Sequence, residues 1–534
     1  MHNTEVYGND CGGMDFVNGP EKLNMAYYLN DAGYTTYYAG KYLNNYGSPR
    51  VGGCAHVPPG WDQVSTHATH TATRSPEMLL RDCLRLQWYG LVGNSKYYGY
   101  TVCTGNNGSE VHGSDYATDY FTDRIANRTL EFLENVTKNK TPFFAMCGTP
   151  ASHGPNDPAP QYSETYAGMK SPRLPSWNVA PNPDKHYLLR HILPMDEAHT
   201  NVSDVFFQRR WSVLRSVDDM VERFINLLTK ADVMDETYFV FSSDHGYHLG
   251  EFGMLYDKRM LYETDIRVPL FVSGPGIKPG QTIESPVGHI DLAPTILAMA
   301  GIASPPPQMD GRSWLPLVFG GADAQTQAAT GWRKTFMVEY SGGGHPEDVE
   351  ASDFVTVEAS YEDKHWFHSF VHNVVSPSLK SPETGIYPSY YNSSCGASAS
   401  DELSIWGSCS CVATFGHSQL VHDQSPCDSA NNSYHCIRTL VLGADVLASS
   451  MSGERSEAEI AAAGGVYAEN TVYCEFDDPE DFKEYYDLNV DPHNLKNVYY
   501  ALPETKKTAL AAELKLNLAC KGAGCFMTTE DGDK

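Results

Sequence analysis

The sequence predicts an α/β protein in which a mainly parallel sheet is flanked by helices, followed by a smaller C-terminal α+β domain containing an antiparallel sheet. Three observations predict it. Short apolar runs alternate with stretches of helical periodicity, the pattern of strands joined by helical crossovers. The main runs each end in polar residues of chemically useful kinds. After Gly301 the texture changes to a stretch rich in Pro, Gly and Ala, and beyond it come short alternating runs and most of the cysteines.

The elements follow in order. The helical pattern GPEKLNMAYYLNDAG leads into YTTYYAG (34–40), a strand that delivers Lys41. The helical YATDYFTDRIANRTLEFLENV leads into TPFFAMCGTP (141–150), which delivers His153. In WSVLRSVDDMVERFINLLTKADVMDET, the residues Val213, Val217, Met220, Val221, Phe224 and Leu228 recur at helical spacing and form one apolar stripe. That helix leads into the strand Tyr238 to Phe241 and then to Asp244 and His245. RVPLFVSGPGI reads as a strand closed by a Gly-Pro-Gly turn, and HIDLAPTILAMAGI as a helix entered through Asp291 and ended at Gly301. The stretch ASPPPQMDGRSWLPLVFGGADAQTQAATG marks a boundary between a domain at 1–330 and a Cys-rich domain at 331–534, the latter with a surface insertion near 376–404.

In open α/β sheets, ligands bind beyond the carboxyl ends of the strands. Lys41, His153, Asp244 and His245 all fall there, so distant parts of the chain are expected to meet in one cleft. Asp244 and His245 read in two ways. One is a strand-end turn, with Asp capping an amide and Gly246 at positive φ; the other is a hard-cation site. Two ligands are too few to hold an ion. Lys258, within YDKRMLYE, reads either as part of a solvated charged face or as a further cation of the cleft.

Composition narrows the class. The 534 residues carry 38 Lys plus Arg against 66 Asp plus Glu, a formal charge of -28, with no basic stripe. Nucleic acid is excluded as a partner on that balance. An anionic ligand would need locally assembled cations. No apolar run is long enough to span a membrane. Thirteen cysteines without a Cys-x-x-Cys pair, and sequons at Asn107, Asn127, Asn135, Asn139, Asn201, Asn392 and Asn431, point to a disulfide-bonded glycoprotein of the secretory pathway. Lysosomal, periplasmic and extracellular placement all stay open. Met1 is followed by His-Asn-Thr-Glu instead of a signal peptide, so the N-terminus is expected to be incomplete.

The segments SSDHGYHLGEFG, DKRMLYETDIRVPLFVSGPGIKPGQ, HIDLAPTILAMAGI and AGYTTYYAGKYLNNYG resemble those of the type I sulfatases. The resemblance extends to RWSVLRSVDDMVE, YCEFDDPEDFKEYYDLNVDPHNLKNV and the CKGAGC tail, and is strongest toward N-acetylglucosamine-6-sulfatases and algal arylsulfatases. It implies an alkaline-phosphatase-like α/β domain, a bound calcium ion, and hydrolysis of sulfate monoesters of carbohydrates or aryl alcohols. By the resemblance, Asp244 and His245 are metal ligands and Lys41 contacts the nucleophile and sulfate. His153 and Lys258 bind sulfate and help the leaving oxygen depart, and His248 reads either as lining the substrate mouth or as a structural histidine. A sulfuryl group in transfer spreads negative charge over its oxygens, and these cations would meet it.

The family's nucleophile is a formylglycine made from cysteine or serine in C-x-P-S-R, and no such context occurs here. The resemblance places it, with a first strand bearing two further metal-binding aspartates, upstream of Met1. A central parallel strand is worth more than a domain's net stability of about 5–15 kcal/mol. The expectation is therefore a C-terminal portion of a longer sulfatase, inactive as written. Two alternatives stand beside it: a non-catalytic binder of sulfated glycans, and a phosphatase or phosphodiesterase of the same superfold.

Overall fold

The computed structural model describes residues 14–44, 46–61, 87–105, 108–302, 304–319, 331–341, 432–443, 467–522 and 525. Strand β1 (Thr35–Gly40) lies between β2 (Trp88–Leu91) and β5 (Phe143–Gly148), parallel to both. Beyond β2, β3 (Thr101–Thr104) and β4 (Gly108–Val111) continue the sheet antiparallel, in the order β4-β3-β2-β1-β5. The links from β2 to β3 and from β3 to β4 are too short for the crossover that a parallel pair needs, so those strands fold back as hairpins. Strand β1 is buried along nearly its whole length, as expected of a strand covered on both faces.

The covering helices are the two that the sequence predicts, the second of them from its apolar stripe. The helix Phe121–Lys138 buries Phe121, Ile125, Ala126, Leu133 and Val136. The long helix Glu197–Lys230 starts at Asp196, whose side chain accepts from the amide of His199, and buries Val213, Val217, Met220, Phe224 and Leu228. Together they close on Tyr37, Ala39, Tyr89, Leu91 and Val102 of the sheet. Each large apolar side chain buried in this way contributes about 1.5–3 kcal/mol before the entropy of ordering it is subtracted.

Strands β6 (Phe239–Ser242) and β7 (Leu270–Ser273) depart from a purely parallel arrangement. They pair antiparallel as a separate ribbon, joined among the described residues to no other strand. The fold class is nevertheless the predicted one. Its second part is a four-stranded antiparallel sheet in the order β11-β10-β9-β8, built from β8 (Thr335–Ser341), β9 (Ser433–Leu442), β10 (Tyr467–Phe476) and β11 (Lys483–Asp487). Cys436 and Cys474, opposite each other on β9 and β10, form a disulfide. Two more link Cys54 to Cys103 and Cys520 to Cys525. One face of the sheet is covered by the helix Glu504–Ala519 through Leu510 and Leu514.

The other face packs on Leu189, Phe252, Met260, Leu261 and Tyr262. A buried charge pair is sewn into this seam. Lys185 Nζ donates to Tyr486 Oη at 2.8 Å and to the Asn494 carbonyl at 2.6 Å, and lies over the rings of Phe252, Tyr262 and Tyr486. The Glu484 carboxylate accepts from the His186 amide, Tyr486 Oη and Tyr262 Oη. Every charge here has hydrogen-bonding partners, which is the condition for burying it.

Of the candidate glycosylation sites, Asn127, Asn139 and Asn201 are exposed and Asn135 is half-buried, whereas Asn107, Asn392 and Asn431 lie outside the described residues. The insertion at 376–404 also lies outside them. Among the described residues, no helix is long and apolar enough to cross a membrane.

Candidate active site

Lys41 leaves the end of β1 beside the end of β5, and its amide donates to the Gly148 carbonyl at 2.8 Å. Tyr38 Oη donates to the Lys41 carbonyl, and Lys41 Nζ donates to Asn94 Oδ1 at 2.8 Å. Both bonds hold the lysine at the strand mouth.

His153 follows β5 in a loop held from several directions. Its amide donates to the Pro150 carbonyl at 2.7 Å, and Tyr97 Oη donates to the His153 carbonyl at 3.1 Å. The adjacent arginines of the long helix grip the same loop. Arg210 Nη1 donates to the Ser152 carbonyl at 2.6 Å, and Arg209 donates to the Asn156 carbonyl at 3.0 Å and to Asp157 Oδ1 at 2.5 Å. His153 Nδ1 lies 2.8 Å from the Gly154 carbonyl and so carries the ring proton, leaving Nε2 with a bare lone pair when the ring is neutral.

Asp244 and His245 follow β6. Gly246 is needed there because a Cβ would sit 2.1 Å from the Thr264 carbonyl oxygen, and not, as the turn reading expects, for a positive φ. Lys258 lies in a turn between Asp257 and Arg259, which both have positive φ, at 145° and 88°.

The electrostatics bring these residues into one cluster. Burial pushes the His153 imidazole down to about 4; the Gly154 carbonyl opposes this, and the charges of Lys258, Lys41 and His245 reinforce it. His245 is lowered by burial and by Lys258, with Asp244 pulling the other way. Burial also lowers Lys258, against the pull of Asp257 and Asp244 and with the push of Arg259 and Arg210. Lys41, His153 and His245, which follow three different strands, and Lys258, from the segment between β6 and β7, thus lie within reach of one another's charge.

Asp244 and His245 have the donor chemistry of a cation site. His245 Nδ1 lies 2.7 Å from the Gly246 carbonyl, so the proton sits on that nitrogen and Nε2 is bare. Nε2 lies 3.4 Å from Asp244 Oδ2, and the Asp244 side chain is 79% exposed. Two acceptors facing each other without a proton between them fit a shared cation. As a complete site the pair falls short, because among the described residues no third His, Cys, Asp or Glu joins them.

The structure favours the structural reading of His248. It is fully buried and does not line a substrate mouth. Its Nδ1 lies 3.0 Å from both oxygens of Asp265, and its backbone pairs with Asp257. Sequence reading also missed Asn94, Arg210 and Asp265. Arg210 stacks 3.7 Å from the Tyr247 ring centroid and feels Asp244. It occupies an amphipathic helix in which consecutive arginines look like a solvated face.

Comparison with known proteins gives a consistent family. The family model described as "Sulfatase" matches residues 1–302, and that described as "N-sulphoglucosamine sulphohydrolase, C-terminal" matches residues 250–370. The chain is 34% identical over 530 residues to N-acetylglucosamine-6-sulfatase of Bos taurus, covering 98% of this chain and 74% of that protein. It is 27% identical over 311 residues to an arylsulfatase of Volvox carteri, covering 53% of this chain and 43% of the relative. A structure solved in complex with its substrate D-glucosamine-2-N,6-O-disulfate superposes with a TM-score of 0.54 at 18% identity, covering 96% of this chain and 83% of that one. At that identity the likeness shows the fold.

Proposed function

Since this chain belongs to the sulfatase family and is that of a sulfuric ester hydrolase, we propose that its substrate is a sulfate monoester of a carbohydrate, a 6-O-sulfated amino sugar foremost, with aryl sulfates as the second class. The observation that carries the reading is the convergence of Lys41, His153 and Lys258 beside the Asp244–His245 pair, where His153, His245 and Lys258 are shifted first by burial and then by their neighbours' charge. An acidic chain of net charge -28 has thereby gathered fixed cations at one strand mouth. The relative named for N-acetylglucosamine-6-sulfate chemistry supports the sugar class.

The net reaction breaks the bond between sulfur and the ester oxygen, consumes water, and leaves an alcohol and sulfate. Lys41 faces the sulfate oxygens and the nucleophile. His153 and Lys258 hold the sulfate on the leaving-group side, and the lowered proton affinity of Lys258 eases donation to the departing oxygen. His153 enters neutral with Nε2 bare, and an arriving anion favours its protonated form. This reading includes a formylglycine and one calcium ion. Asp244 and His245 would hold the ion with ligands from outside the described residues. When bound, these groups supply a nucleophilic oxygen and a compact positive charge.

The disulfides and solvent-facing sequons support placement in the secretory pathway, lysosomal, periplasmic or extracellular. The test is Lys258→Ala in the full-length, formylglycine-bearing gene product. Turnover of a 6-O-sulfated glucosamine should fall by about 10²–10⁴-fold; undiminished turnover would overturn the mechanism.

A further inference from the structure

Nine residues other than glycine have positive φ among the described residues. Seven of them lie between 49° and 58°, in the ordinary left-handed well. The other two are Asp257 at 145° and Arg259 at 88°, on either side of Lys258. Backbone held so far from a populated region persists only where its surroundings over-determine it, and such strain concentrates at functional sites.

The surroundings are visible. On one side, the His248 amide donates to the Asp257 carbonyl at 2.9 Å and the Asp257 amide returns a bond at 3.3 Å. Asp265, itself 5% exposed, accepts from the Met260 amide at 2.8 Å and from His248 Nδ1 at 3.0 Å. On the other side, the Arg259 carbonyl accepts from Asn432 Nδ2 at 3.1 Å and from Tyr434 Oη at 3.3 Å. Asn432 and Tyr434 are 1% and 3% exposed; Asn432 directly precedes β9 and Tyr434 is its second residue, more than 170 residues along the chain. The sheet also packs on Met260 and Leu261, just after the turn, while other parts of the seam lie away from it, such as the His186–Asp478 pair at 2.7 Å.

We propose that the C-terminal sheet positions Lys258: Asn432 and Tyr434 grip the Arg259 carbonyl and, opposite the Asp265–His248 pair, hold the strained turn that aims the lysine. This rests on the reading of Lys258 as the group that assists the leaving oxygen. Asn432 and Tyr434 touch neither substrate nor ion in that scheme. They act through the turn. Loosening it should therefore harm reactions in proportion to their need for leaving-group assistance: most for a sugar alcohol, and little for an aryl sulfate whose phenolate leaves unaided.

The experiment compares Asn432→Ala/Tyr434→Phe with wild type in the full-length enzyme, using 6-O-sulfated N-acetylglucosamine and 4-nitrocatechol sulfate. We expect kcat for the sugar sulfate to fall about tenfold or more and kcat for the aryl sulfate less than about threefold, with both KM values little changed. Asp478→Asn, which loosens the same seam away from the turn, should lower the melting temperature and leave the ratio of the two rates alone. Equal losses on both substrates, or none, would overturn the proposal. If the double variant fails to fold, Tyr434→Phe alone removes one hydroxyl and is read in the same way. Full activity in Lys258→Ala would instead sink the underlying assignment, whereas an impaired Lys258→Ala beside a normal rate ratio in the double variant removes only the positioning role.

Discussion

Gly40 and Gly148 face each other across β1 and β5 so closely that a Cβ on Gly40 would lie 1.9 Å from the Gly148 carbonyl oxygen. Gly40 also has φ of 121°, a conformation that side chains rarely adopt. This contact seats Lys41, whose amide bonds to that same carbonyl. Gly40→Ala should therefore cost about 3 kcal/mol or more and displace the lysine. A thermal melt within two degrees of wild type would contradict the expected close packing.

Protonation of His153 should couple to stability. The folded protein holds this imidazole down near 4, against an ordinary 6.5, so between those values the unfolded chain binds more protons. Stability rises with pH through that window, is complete above about 6.5, and is lost as the pH falls toward 4. His245 shifts in the same direction and adds to the slope. Melting temperatures of wild type and His153→Gln from pH 4.5 to 7 should diverge at the high end of the range and converge at the low end. Parallel curves would mean that the imidazole is not held neutral.

Arg210 should matter although no substrate role is assigned to it. It ties the His153 loop to the long helix through the Ser152 carbonyl and stacks on Tyr247. Lysine can reproduce neither the planar stack nor the forked geometry. Arg210→Lys and Arg210→Met should both weaken inhibition by inorganic sulfate by about tenfold, through a displaced loop and, in the methionine variant, a lost cation. An unchanged inhibition constant in both would show that the loop holds without it.

The Asp244–His245 pair predicts calcium-dependent stability. A ligand that binds only the folded state at 100 times its Kd adds about 2.7 kcal/mol. Adding calcium to the chelator-treated full-length protein should raise its melting temperature, and Asp244→Asn should abolish most of the rise. A rise of the same size in Asp244→Asn would place the ion elsewhere.

Much of this architecture is legible in the chain. The apolar runs at 34–40 and 141–150, and the stripe from Val213 to Leu228, state which residues face inward, because burial imposes its period on local sequence. Polar residues placed after apolar runs mark Lys41, His153, Asp244 and His245 as candidates for one cleft beyond the strand ends. Charge balance and cysteine usage bound the class of partner and compartment. These are properties of segments, and segments carry them.

Tertiary structure decides what crosses between segments. That β6 and β7 form their own antiparallel ribbon depends on which strand edges meet, which no local period records. His248, which the resemblance leaves open between a cleft residue and a structural histidine, is buried against Asp265. Asn94 and Arg210 join the site because a loop and a helix pass beside it, and nothing in their own neighbourhoods distinguishes them from solvated residues. The grip of Asn432 and Tyr434 on Arg259 spans more than 170 residues. Periodicity reports which face of an element is buried, whereas the partner buried against that face is chosen only when the whole chain packs.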